Sequence, residues 1–122
     1  MRDFRKALTD RVLVLDGAMG TLLQERGLPP GGCPEEMNRI APEAVVGVHA
    51  EYAAAGADIL VANSFGGNRA KLGHYGLESA VAALNRRAVE LARKAGGEQV
   101  FVGGSVGPSG RFVEPVGFHA YA

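Results

Sequence analysis

The sequence predicts an α/β protein built on parallel strands, and three observations carry that prediction. Three short apolar runs, Val12-Leu13-Val14-Leu15, Ile59-Leu60-Val61-Ala62 and Val100-Phe101-Val102, each end in a polar or glycine-rich loop. Between them, apolar residues recur at steps of three and four, the period of an amphipathic helix. The resulting order is β-α-β-α-β, and strands joined by helical crossovers run parallel with right-handed connections.

The elements follow in chain order. Phe4 and Leu8 at helical spacing make residues 2–9 a short helix. The run at 12–15, continuous rather than alternating, reads as a strand buried on both faces and ended by Asp16-Gly17. Residues 19–26 form a short helix stopped by Gly27 and two prolines, and residues 27–34 form a loop. Glu35-Glu36 opens a short helix, where carboxylates are favoured. Pro42 suits the first turn of a longer helix, with Val45, Val48 and Tyr52 on one face and Gly56 at its end. Ile59 to Ala62 is the second buried strand. From Leu77 the pattern is clearest: Leu77, Val81, Leu84, Ala88, Leu91 and Ala95 line one face, with Arg86, Glu90 and Lys94 on the other, and Gly96-Gly97 ends the helix. Val100 to Val102 is the third strand, and residues 106–122 read as a loop.

Length and composition bound the rest. The chain has 122 residues, of which 47% are apolar and 21% charged, the profile of one globular domain. Thirteen basic residues balance thirteen acidic ones, which removes any general attraction to nucleic acid or an anionic membrane. No apolar run is long enough to span a bilayer, and the charged first residues have no signal-peptide stretch behind them. The single cysteine, Cys33, excludes an internal disulfide and fits a reducing compartment, so the cytoplasm is the expected location. Three parallel strands leave open edges, whereas a (β/α)8 barrel needs eight strands in about 250 residues. The chain is therefore expected to be a piece of a larger α/β domain or part of an assembly, and to be marginally stable or self-associating alone.

Ligands of parallel α/β folds bind beyond the carboxyl ends of the strands. Those ends carry the candidate site. Asp16-Gly17-Ala18-Met19-Gly20-Thr21 offers glycine-exposed N–H groups for a carboxylate and an acid for an amine, together suited to an amino acid; the plainer reading is a tight turn with Asp16 as a cap. Asn63, Ser64 and Phe65 offer hydrogen bonds and an apolar wall, or a satisfied turn and a core aromatic. Ser105 faces the same mouth or begins a turn before Pro108. The glycines match neither a dinucleotide fingerprint nor a phosphate-binding loop. Cys33, His49, His74 and His119 lack metal-ligand spacing, and no catalytic triad or carboxylate pair can be assigned.

These residues resemble the homocysteine S-methyltransferase family. Val14-Leu15-Asp16-Gly17-Ala18-Met19-Gly20-Thr21 is similar to its opening motif, and so is Cys33-Pro34-Glu35-Glu36-Met37-Asn38 followed by Pro42-Glu43. Ala55-Gly56-Ala57-Asp58-Ile59-Leu60 leading to Asn63-Ser64-Phe65-Gly66 resembles the second-strand motif, with Ser64 where threonine is commoner. Gly104-Ser105-Val106-Gly107-Pro108 resembles the third. The resemblance implies that residues 1–122, without a second domain, are the first three βα units of a (β/α)8 barrel, the rest of which would cover the open edges.

It further implies methyl transfer to the zinc-activated thiolate of L-homocysteine, giving methionine. Asp16 would face the amine and Gly17 to Gly20 the carboxylate, with Thr21 closing that loop, while Asn63, Ser64, Phe65 and Ser105 line the pocket. The family's zinc cysteines lie in motifs absent here, so zinc ligands are expected outside this chain, and Cys33 is not one. No catalytic residue is expected in this chain, and alone it is expected to be inactive. Asn63-Ser64-Phe65-Gly66-Gly67 and Gly107-Pro108-Ser109-Gly110 are most like the N-terminal module of cobalamin-dependent methionine synthases, which implies methylcobalamin as donor, replenished from methyltetrahydrofolate. The alternatives are a fusion with methylenetetrahydrofolate reductase, or a non-catalytic short α/β protein that binds a small amino acid.

Overall fold

The computed structural model describes residues 2–120; Met1, Tyr121 and Ala122, and with them part of the expected C-terminal loop, lie outside the described residues. Helix α1 (Phe4–Asp10) is capped by Asp3, whose carboxylate accepts the N–H groups of Arg5 and Lys6. Its Phe4 ring meets Phe101 edge-on at 5.2 Å, and the Arg2 guanidinium lies 5.5 Å from the same ring. The predicted strand at 12–15 forms a single parallel bridge, Leu15 to Ile59. Helix α2 (Gly20–Gln24) follows, then a 3₁₀ turn at Pro34–Glu36 running into α3 (Met37–Ile40) and the long α4 (Pro42–Ala54). Gly56, at φ +101°, turns the chain into β1 (Ile59–Val61). Helix α5 (Arg69–Gly73), α6 (Val81–Gly96) and β2 (Phe101–Gly103) complete the order.

β1 and β2 pair in parallel, Ile59 with Phe101 and Val61 with Gly103. The β-α-β-α-β order therefore stands, with the first strand reduced to a bridge. Helices α4 and α6 pack on the sheet and on each other. One core cluster joins Leu23, Leu28, Met37, Val45, Val48 and Leu91; a second joins Cys33, Leu72 and Leu84. Each such fully buried aliphatic side chain contributes roughly 1.5–3 kcal/mol of transfer free energy. The predicted apolar faces of α4 and α6 point into these clusters, with Tyr52, Leu77 and Val81 packed against them.

Two expectations are corrected. Residues 12–15 are not buried on both faces: Val12 is 85% exposed, and Val14 and Leu15 are each 56% exposed. They line the outer edge of the sheet, paired on one side with the start of β1 through Val14 and Asp16. An apolar run states that burial would be favourable; it does not supply a neighbour. The stretch between β1 and Leu77, left without a helix by its pattern, contains α5. Its start is set by Asn68, whose side chain accepts the Lys71 N–H at 2.9 Å.

Candidate functional site

The loops that leave the three strands are tied to one another by side chains. Asp16 Oδ2 accepts the Val61 N–H at 3.0 Å, which fixes the first loop to the end of β1. The Ser64 hydroxyl donates to the Ser105 carbonyl at 2.9 Å and accepts the Ser105 N–H at 3.1 Å. That reciprocal pair locks the β1 loop to the β2 loop. The Gly107 N–H then donates to the Phe65 carbonyl at 3.1 Å, and any Cβ at Gly107 would strike that carbonyl. Glycine is required there by close backbone approach.

Asp16 is nearly sealed, its side chain 3% exposed. Burial pushes its carboxyl above the usual carboxylate range, and the Val61 N–H opposes that shift. The loop after it is held from below: the Tyr52 hydroxyl donates to the Ala18 carbonyl at 2.9 Å, and a Cβ at Gly17 would come 3.0 Å from that hydroxyl. Gly17 and Ala18 are exposed, and the N–H groups of Gly17, Ala18 and Met19 have no protein acceptor among the described residues. These N–H groups are free to donate to a ligand. Helix α2, which begins at Gly20 and contains Thr21, is only five residues long.

Asn63 is committed to structure. Its amide donates to the Pro34 carbonyl at 2.8 Å and to Asn38 Oδ1 at 2.9 Å, while Asn38 donates back to the Asn63 carbonyl at 2.9 Å and more weakly to that of Leu84 at 3.3 Å. Asn38 is fully buried. Glu35, also buried, accepts the Gly66 N–H at 2.6 Å. So the Cys33–Asn38 segment splints the β1 loop from outside, a role that the sequence pattern of Glu35-Glu36 as a helix start did not reveal. Phe65 is exposed and forms a wall of the mouth rather than part of the core. A cavity of about 370 Å³ opens here, lined by Ser64, Phe65, Asn68, Asn85, Ser105 and Gly107 among others, and by none of residues 16–21. A larger cavity, about 740 Å³, is lined by Arg2, Phe4, Arg93, Glu98 and Phe101 among others, and none of the strand-end loops reaches it.

His49 on α4 was unassigned by spacing. It is fully buried, neither ring nitrogen has a hydrogen-bond partner, and Nδ1 lies 3.8 Å from Asp16 Oδ2. Burial drives its pKa down to about 4, so the ring is neutral near pH 7. Leaving such a group unpaired costs about 1–3 kcal/mol.

The chain's donor set does not fit zinc. Among the described residues no three His, Cys, Asp or Glu side chains converge. The buried Cys33 thiol lies 3.5 Å from Glu35 Oε2, and burial, with that carboxylate adding to it, raises its pKa and keeps the thiol protonated. No helix is long and apolar enough to cross a membrane among the described residues.

Parallel strands whose carboxyl-end loops are braced by side chains define an α/β domain, and in such folds ligands bind beyond those strand ends. The homocysteine S-methyltransferase family matches residues 13–121, and the chain belongs to that family. It is 37% identical over 120 residues to a methionine synthase of Mycobacterium leprae, covering 87% of this chain and 10% of that protein. It is 35% identical over 134 residues to the methionine synthase of Mycobacterium tuberculosis, covering 98% and 11%. The metallated form of the homocysteine methyltransferase MmuM from Escherichia coli superposes with a TM-score of 0.73 at 33% identity, over 85% of this chain and 41% of that one. Its oxidized form gives 0.74 at 34% identity, over 89% and 42%. The chain thus spans about a tenth of the length of these methionine synthases.

Proposed function

We propose that this chain forms part of the L-homocysteine pocket of a methionine synthase-like homocysteine S-methyltransferase, holding the amino-acid end of the substrate. The observation that carries the proposal is the joining of three strand-end loops by Asp16–Val61 and Ser64–Ser105, beside three unpaired backbone amides. On this reading the Gly17, Ala18 and Met19 amides take the substrate carboxylate, with Gly20 and Thr21 closing the turn. The Asp16 oxygen not used by Val61 takes the ammonium. Ser64, Ser105 and Phe65 bound the mouth, and Asn63 holds the β1 loop in place rather than touching substrate.

The residues 1–122 are then the first three βα units of a (β/α)8 barrel, and the exposed edge at residues 12–15 lies where a further strand would pair. The thiol end, and the zinc that the family resemblance attaches to it, falls to residues outside this chain. Methylcobalamin, replenished from methyltetrahydrofolate, is the proposed donor, in keeping with the likeness to methionine synthases. Methyl transfer in the cytoplasm completes the reading.

The test is methionine formation from L-homocysteine by the protein that carries this chain, supplied with zinc and methyl donor. Methionine is expected, and Asp16→Ala should raise the KM for homocysteine about tenfold or more by removing the partner of the amine. No methionine from a folded, metal-loaded protein would end the proposal, and an unchanged KM would remove Asp16 from the pocket.

A further inference from the structure

Two side chains near the mouth carry buried polar atoms without a partner: Asn85, whose Oδ1 is unpaired while its amide donates to the Gly67 carbonyl, and His49, which is unpaired at both nitrogens. Asn38, Asn63, Ser64 and Glu35 all have hydrogen-bond partners. His49 has none, yet it sits wholly buried on α4 with Nδ1 facing Asp16 Oδ2 at 3.8 Å. That separation is too long for a hydrogen bond and short enough to become one through a movement of about 1 Å. The two side chains are sealed together, at 0% and 3% exposure, and no other ion pair involves Asp16 among the described residues. A neutral imidazole carries one N–H and one bare nitrogen. The tautomer that places the proton on Nδ1 directs it at the carboxylate.

We propose that His49 is a positioning residue for the substrate ammonium: its Nδ1–H closes onto Asp16 Oδ2 when homocysteine binds, orienting the carboxylate and holding it ionised. The inference rests on the reading of Asp16 as the partner of the amine. Before substrate arrives, a buried anion is costly, and Asp16 has only backbone N–H groups, those of Val61 and of Asp16 itself, to offset that cost. The ammonium supplies the missing charge, and His49 supplies a second donor from the protein side. His49 itself never touches substrate.

The experiment uses the complete protein and compares His49→Leu, which removes both nitrogens at similar volume, with His49→Asn, whose amide can occupy the Nδ1 position. His49→Leu should raise the KM for homocysteine about tenfold and leave kcat within about threefold, while His49→Asn stays within about threefold of wild type in both. In an Asp16→Asn background, His49→Leu should add less than about twofold. An unchanged KM in His49→Leu, an equal loss in His49→Asn, or a full loss in the Asp16→Asn background overturns the proposal. Wild-type methionine formation reports on the underlying reading separately from all three. Should His49→Leu fail to fold, the imidazole ¹⁵N resonances of the wild-type protein decide. An Nδ1–H tautomer whose Nδ1 signal shifts on adding homocysteine supports the proposal, and an Nε2–H tautomer or an unmoved signal overturns it.

Discussion

Residues 12–15 and residues 59–62, which contain β1, carry nearly the same signature, four apolar residues followed by a polar one, and the fold treats them oppositely. Leu60 is fully buried, between a bridge on one side and β2 on the other, with α4 and α6 against the sheet. Val14, one strand away, is more than half exposed. The edge segment is instead clipped to β1 by charge. Asp58 accepts two hydrogen bonds from the Arg11 guanidinium, at 2.8 and 2.5 Å, and a third from the Val14 N–H at 3.0 Å. That pair holds the Asp58 carboxyl well below the usual carboxylate range. The difference teaches that apolar pattern sets the propensity for burial, while neighbours on both sides decide it.

The comparison breaks most visibly on truncation. Leu60→Ala should destabilise the protein by about 2–5 kcal/mol, and Val14→Ala by less than about 1 kcal/mol, measured by urea unfolding. Equal losses would mean that the edge is covered as β1 is. Next in size, Asn38→Ala should cost about 1–3 kcal/mol, because it leaves the Asn63 carbonyl and one of its two amide N–H bonds without a partner in the interior; a cost no larger than at Val14 would mean that Asn38 does not brace the β1 loop.

His49 should produce a comparable effect with pH. Its folded pKa, about 4, lies below the unfolded value near 6.5, so the unfolded chain binds more protons in that window. Stability should therefore fall as pH drops from about 6.5 to about 4, by about 1–3 kcal/mol, and His49→Leu should flatten the slope. Asp16, whose raised pKa favours the folded state on protonation, opposes this trend, so the difference between wild type and variant isolates the histidine. Smallest of all, Asp58→Asn should speed hydrogen exchange at the Val14 amide and leave that of Leu60 unchanged, since the clip is local and solvated.

Much of this was legible in the sequence. The helical period from Leu77 to Ala95 and the apolar runs gave the parallel α/β order because both report on residues within one element. The strand-end motifs gave the Asp16, Ser64 and Ser105 loops for the same reason. Burial of residues 12–15 is not legible in their pattern because it depends on what lies beside them. The splint of Glu35 and Asn38, and the position of His49 behind Asp16, depend on packing between segments 25 to 33 residues apart, and no local period encodes that. Asn63 was legible as important and misleading as to why: its amide is spent on Pro34 and Asn38.

The proposed role of the strand-end mouth is to hold the amino-acid end of homocysteine. The most direct measurement is amide hydrogen exchange of the protein with and without L-homocysteine, read residue by residue. Slowed exchange at Gly17, Ala18 and Met19, with lesser changes at Ser64 and Ser105 and none around Phe101, is the predicted result. Unchanged exchange at those three amides under saturating homocysteine, or protection confined to the Phe4 and Phe101 cavity, would contradict it.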